Sequence, residues 1–212
     1  GKLFKRIFEE KIKVIFTSNI KINALYKDGL QRDQFIPFIK ILENNCYEKE
    51  LLIKEDYRSS KSLDLKRFVS PINKSSNFIF NTFFRKITKN KSKTRKILEI
   101  KGRSLLIENF YDKVAKFEFE ELCNRNLGSE DYIKIAENCE FIFIKNLPNF
   151  DENNSNQQQR FITLIDVIYE KKIPLMITSQ VDLNLMKSSK NLADPFKRTV
   201  SRLYELVSIN YN

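Results

Sequence analysis

The chain has 212 residues, with 38 Lys/Arg against 27 Asp/Glu for a formal charge of +11, and its 42% apolar and 31% charged residues describe a globular chain. Histidine is absent, which excludes Ser-His-Asp and Cys-His nucleophiles, the zinc-protease helix and most zinc fingers. Cys46, Cys123 and Cys139 lack metal-ligand spacing and fit a reducing compartment, and with no long apolar run or charged leader neither membrane spanning nor secretion is expected.

Leu3, Phe4, Ile7 and Phe8 fall at helical spacing and predict an amphipathic helix at the start. Val14-Ile15-Phe16 then predicts a short buried strand ending in Thr17-Ser18-Asn19. Short buried runs alternating with amphipathic helices predict an α/β fold, with parallel strands flanked by helices. In such sheets ligands gather beyond the carboxyl ends of the strands, where these three polar residues would stand. The same triplet also suits a plain turn that caps the next helix.

The charge is concentrated. Between Arg58 and Arg103 there are fourteen Lys/Arg against Asp64 and Glu99, and seven of the twelve residues from Arg85 to Lys96 are basic. Nucleic acid or an anionic membrane surface is the physical partner for such a stretch, and a solvated basic face in a Lys/Ile/Asn-rich chain is the plain alternative. Phe78, Phe80, Phe83 and Phe84 adjoin it. Their spacing fits the buried face of a helix over 75–89, while aromatic residues among basic ones also occur where nucleic acid binds.

From Ile97 to Phe119 alternation predicts two or three strands, a small strand-rich insertion with Gly102 at a turn. Phe141-Ile142-Phe143-Ile144 reads as a buried strand closed by Leu147-Pro148. The Asn/Gln-rich stretch from Asp151 to Gln158 predicts a solvated, mobile loop. A helix over 157–171, with Phe161, Leu164, Ile165 and Ile168 on one face, feeds a strand at Leu175-Met176-Ile177 that ends in Thr178-Ser179-Gln180. Ile7 to Asn19 aligns without gaps on Ile168 to Gln180, identical at six of thirteen positions, which suggests two helix–strand units of one architecture. Finally, Asp194 and Pro195 suit the start of a helix that carries Arg198 and Arg202 four residues apart.

Ordered blocks run along the chain: Thr17-Ser18-Asn19, Leu25-Tyr26, Gly29-Leu30-Gln31-Arg32, Phe35-Ile36-Pro37 and Asp56-Tyr57-Arg58. Phe117-Glu118-Phe119, Leu122-Cys123, Asp131-Tyr132, Arg160-Phe161-Ile162, Leu164-Ile165-Asp166, Tyr169, Phe196 and the closing Arg198-Thr199-x-Ser201-Arg202-Leu203 with Glu205 follow. Together they resemble the blocks of the ZapE family, AAA+-type P-loop ATPases with a bacterial cell-division branch and mitochondrial relatives of the lactation-elevated type.

A P-loop needs G-x-x-x-x-G-K-[ST], and none of Gly1, Gly29, Gly102 and Gly128 opens that pattern. The resemblance places Gly1-Lys2-Leu3-Phe4 on the helix after the family's acidic magnesium-binding strand. It therefore implies the C-terminal half of an ATPase: residues 1–58 would end the AAA+ core, and 59–212 would form a C-terminal α/β region with the basic segment 58–103. ATP and Mg2+ would be held mainly by the N-terminal half. The resemblance further implies Asn19 as sensor 1, with Ser18 beside it, and Arg32 as an arginine finger acting on a neighbouring subunit of a homo-oligomer. A surface ion pair with Asp33 or Asp28 is the alternative for Arg32. One of Arg198 and Arg202 would contact phosphate as sensor 2, the alternative being pairing with Glu205 or Asp194. The implied work is remodelling of a protein partner, the division apparatus in bacteria. The location would be cytoplasmic and peripheral at the inner membrane, or the mitochondrial matrix.

Overall fold

The computed structural model describes residues 2–27, 29, 32–50 and 67–208. It divides into two compact units, residues 1–54 and 55–212. The expected boundary at residue 58, the block Asp56-Tyr57-Arg58 and the first part of the basic segment lie outside the described residues, as do Gly1, Asp28, Leu30 and Gln31.

In the first unit α1 (Lys2–Glu9) and α2 (Arg32–Asn45) flank an irregular connection with one 3-10 turn at Ile22–Ala24. α1 stops because Lys11 takes φ 55°, which lets Ile12 N–H donate back to the Ile7 carbonyl at 3.1 Å and satisfies an orphan carbonyl of the last turn. The unit packs through aromatic rings: Phe4 lies 5.5 Å from Phe16 and 5.3 Å from Phe38, and Phe35 lies 5.1 Å from Phe38 and 5.2 Å from Tyr26. Ile39 and Leu42 complete the buried face of α2. The strand expected at Val14-Ile15-Phe16 is not formed. Residues 12–18 pair with no strand among the described residues, and Ile15 is 93% exposed. A strand exists by its hydrogen-bonded neighbour, and an apolar run without one stays irregular.

The second unit is a mixed α/β layer structure. Its sheet runs β1 (Phe68–Val69), β6 (Leu175–Ser179), β5 (Phe141–Leu147), β4 (Val114–Glu118), β3 (Arg103–Tyr111), β2 (Thr94–Ile100). The first four strands in that order are parallel, and β3 and β2 extend the sheet antiparallel as the expected strand-rich insertion. Lys101 and Gly102, at φ 43° and 81°, make the two-residue turn between β2 and β3, a geometry in which glycine has no Cβ penalty. The helices are α3 (Lys74–Ile87), α4 (Phe119–Cys123), α5 (Ser129–Asn138), α6 (Ser155–Glu170) and α7 (Ala193–Leu206).

β5 shows why both faces are covered. Phe141 and Phe143 point to a cluster with Phe80 and Phe84 of α3, whereas Ile142 and Ile144 join the larger core with Phe161, Leu164 and Ile168 of α6. All four strand residues are buried, the pattern of a central parallel strand. On α3, Phe80 and Phe84 are buried as expected, but Phe78 stands 70% exposed, because its position is opposite the sheet-facing line.

The predicted loop from Asp151 to Gln158 is instead ordered. Asp151 accepts from Asn153 N–H at 2.7 Å, a 3-10 turn follows at Glu152–Asn154, and α6 begins at Ser155. Gln158 is fully buried, donating to Ser188 Oγ at 2.6 Å and accepting from the Ser189 N–H and hydroxyl at 3.0 Å each. Here the polar composition serves turn and buried bonding, not solvation. Asp194 lies inside the first turn of α7 and pairs with Lys197 at 2.9 Å, so it is not the cap.

Candidate functional site

In the first unit Thr17, Ser18 and Asn19 lie on the exposed connection. Ser18 Oγ donates to the Ile20 carbonyl at 2.9 Å and accepts from Ile20 N–H at 3.0 Å, so it fixes a tight turn. Asn19 forms the bend with its amide exposed. Downstream, Glu48 accepts from Ile22 N–H at 3.1 Å, and Tyr26 takes φ 56°. The Tyr26 ring lies over Gly29 so closely that a Cβ there would collide with it. Tyr26 and Gly29, three residues apart in the sequence, are thus one packed turn that delivers the chain to α2.

Arg32 opens α2. Its Nη2 donates to the Asn23 carbonyl at 3.1 Å, while Nε is buried with no partner among the described residues. The side chain makes no ion pair among the described residues, with Asp33 or any other acid; Asp28 is not described. A guanidinium tethered by one nitrogen, with another still unsatisfied, retains donors for an anion.

Arg198 and Arg202 converge in the second unit, but on neither acid named from the sequence. Arg198 donates to Asp166 of α6 at 3.3 Å, and Arg202 donates to the same carboxylate. Arg202 also lies 4.9 Å over the Tyr169 ring, whose hydroxyl donates to Glu205 at 2.7 Å. A cavity of about 210 Å³, lined by Tyr169, Lys172, Glu205 and Leu206, adjoins this cluster. Arg202 is largely buried and Arg198 mostly exposed, so the two carry different constraints.

The strand ends of the second unit's sheet hold the polar residues that its topology would aim at a ligand, and these bind one another. Thr178 Oγ1 accepts from Asn146 N–H at 3.0 Å, Asn146 donates to Glu118 at 2.8 Å, and Gln180 Oε1 accepts from Asn149 N–H at 3.0 Å. Ser70 donates to Asp182 at the end of β1. Among the described residues no three acids or cysteines gather to hold a metal ion. Burial pushes the Cys139 thiol up to about 12 and the Cys123 thiol higher still, so neither is a ready nucleophile.

Buried anchors account for other residues of the ordered blocks. Tyr132 OH donates to the Leu122 carbonyl at 2.9 Å, and Arg160 donates to the Cys123 carbonyl at 3.1 Å. Burial also raises the pKa of Tyr132, which keeps the phenol a donor. Asp166 is the member of the constellation whose role was not read from the sequence; its place beside Tyr169, one turn later on α6, was the available signal.

The sequence model of AFG1-like ATPases matches residues 1–212. The chain is 28% identical over 245 aligned residues to lactation elevated protein 1 homolog B of Danio rerio, covering 99% of this chain and 49% of that protein. It is 26% identical over 211 residues to cell division protein ZapE of Escherichia coli strain K12, covering 100% and 56%. An uncharacterized protein of Schizosaccharomyces pombe is 31% identical over 185 residues, covering 84% of this chain and 41% of that protein. The chain thus spans about half the length of these curated relatives. No solved structure matches it.

Proposed function

The chain belongs to the AFG1-like ATPase family, and we propose that it supplies the sensor, finger and lid side of a protein that hydrolyses ATP to remodel a protein partner. The observation that carries the reading is Arg32: it heads a helix, is tethered by a single hydrogen bond and keeps a buried Nε unsatisfied. A fixed guanidinium of this kind suits the charge spread over the oxygens of a transferring phosphoryl group. Asn19, exposed on the Ser18 turn, would orient the attacking water. The unpaired run at 12–18 would join, as a strand, a sheet bearing the P-loop and the acidic magnesium strand. In this reading magnesium and most of the nucleotide are held by the other half. Of the arginine pair, which share Asp166, Arg198 is the proposed sensor 2, because it is mostly exposed whereas Arg202 is largely buried against Tyr169.

Arginine fingers are worth about 10³–10⁵ in rate, or roughly 4–7 kcal/mol of barrier. In the complete protein Arg32→Ala should lower ATP turnover at least about 10³-fold while leaving nucleotide affinity unchanged. Mixing that variant with one lacking the P-loop lysine should restore part of the activity if the finger reaches a neighbouring subunit. Unchanged turnover in Arg32→Ala removes the finger assignment.

A further inference from the structure

The basic stretch is not neutralised evenly by the fold. In and around the β2–β3 hairpin four cations find acids, Lys91 with Asp112 at 4.0 Å, Arg95 with Glu108 at 2.9 Å, Arg103 with Asp131 at 2.6 Å, and Lys101 with Glu130, while Lys93 and Lys96 form no ion pair among the described residues. α3 is different. It contains no acidic residue, and Lys74, Arg85, Lys86 and, just past its end, Lys89 form no ion pair among the described residues.

Packing fixes which way these residues face. With Ser76, Phe80 and Phe84 turned onto the sheet, helical geometry directs Phe78, Thr82 and Arg85 outward in one line, flanked by Ile79 and Lys86. Arg85 and Lys86 in the last turn gain from the helix dipole, which alone accounts for their position. It does not account for Phe78, 70% exposed, beside Ile79, 45% exposed. The same side of the sheet also carries Lys116, whose ammonium lies 4.6 Å over the Phe84 ring. Its pKa is lowered by burial first and then by the neighbouring Lys145, which itself pairs with Glu118 at 3.8 Å.

We propose that the outward face of α3 docks on an anionic phospholipid bilayer, with Phe78 and Ile79 entering the acyl boundary and Arg85, Lys86 and Lys89 meeting headgroup phosphates. Charge complementarity calls for an anion, and an exposed Phe–Ile pair calls for an apolar phase next to it. A polynucleotide would reward aromatic faces interleaved with the cations. Here Phe78 has one outward cation a turn away, Lys74, the next in line, Arg85, stands two turns on, and Ile79 has no π-face to stack. The surface is peripheral: no helix among the described residues is long and apolar enough to cross a membrane.

The test is cosedimentation of the 212-residue chain with phosphatidylcholine vesicles, with and without about a third of phosphatidylglycerol, at low and high salt. Binding is expected only to the anionic vesicles, and high salt should weaken it. Each basic side chain near an anionic surface contributes about fivefold in partitioning, so Arg85→Glu/Lys86→Glu/Lys89→Glu should reduce it by at least about 10²-fold. Phe78→Ser/Ile79→Ser leaves the charge intact and should also reduce binding, which a purely electrostatic contact would not show. All five side chains face solvent, and unchanged circular dichroism establishes that the variants fold. Failure to bind the anionic vesicles, or binding that either set of substitutions leaves untouched, overturns the proposal. So does binding of a single-stranded oligonucleotide by this face in place of vesicles.

Discussion

Asp131 offers the sharpest test of how the second unit is held together. Its carboxylate is fully buried at the third position of α5, where it accepts from Gly128 N–H at 2.7 Å and from Arg103 of β3 at 2.6 Å. Hydrogen bonds to a charged group contribute about 1.5–3 kcal/mol each, and an acid in the first helical turn adds roughly 0.3–1 kcal/mol. Asp131→Ala should therefore cost about 3 kcal/mol. Arg103→Ala strands a buried carboxylate, a loss of about 3–5 kcal/mol when both partners are enclosed. Arg103 is half exposed, so water can replace part of its contact, and Arg103→Ala is expected to cost less than Asp131→Ala. Urea unfolding followed by far-ultraviolet circular dichroism measures both, and with a slope of about 2 kcal/mol/M the Asp131→Ala midpoint should fall by about 1.5 M. The double variant should cost less than the sum of the singles by about 1–2 kcal/mol. The reasoning is refuted if Arg103→Ala costs more than Asp131→Ala, or if both fall below about 0.5 kcal/mol, the range of an ordinary surface change.

Other outcomes follow from single contacts. Gln158→Leu keeps the volume but strands the Ser189 N–H and hydroxyl, and should cost about 3 kcal/mol, read as a fall of roughly 6–12 °C in Tm. Gly29→Ala should push the Tyr26 ring off Phe35 and reduce the near-ultraviolet tyrosine signal, at a cost of about 1–3 kcal/mol to the first unit. Of the three cysteines, only half-buried Cys46 should react with a thiol reagent in the native state, and all three should react in denaturant. Because burial raises the Cys139 thiol from 9.0 to about 12 and raises Cys123 further, their contribution to stability is fully present below pH 9. It is lost as pH rises from 9 towards 12, by up to about 1.4 kcal/mol per pH unit for each thiol; titrating Cys139→Ala beside the parent should show a shallower alkaline decline.

Much of the second unit was legible because its sheet is buried on both faces. Strands β2 to β6 announce themselves as alternation or as short apolar runs, and Gly102 marks its turn. The misreadings share a cause: the deciding partner is distant in the chain. Gln158 looked like solvated loop because Ser188 and Ser189, which bury it, come thirty residues later. Arg198 and Arg202 were matched to acids on their own helix, whereas Asp166 of α6 holds both. The run at 14–16 has the composition of a strand but finds no ladder among the described residues. For the site, Arg32 at the head of α2 was readable from the ordered blocks, but its tether to Asn23 was not. The concentrated charge was visible too; that four cations in and around the hairpin find acids and those of α3 do not is a property of the fold.

The strand order has a consequence for the newborn chain. β1 pairs with β6, Phe68 opposite Ile177, and Phe80 and Phe84 rest on Phe143 and Met176. The first described strand and helix of this unit are thus made early and seated late. At about 5–20 residues per second, the roughly 55 residues between Ile87 and Phe141 keep a phenylalanine-lined, cationic helix waiting for some 3–11 s beside the ribosome, whose RNA is polyanionic, and β1 waits about twice as long for β6. That interval, more than the finished fold, is when the polypeptide most needs a chaperone.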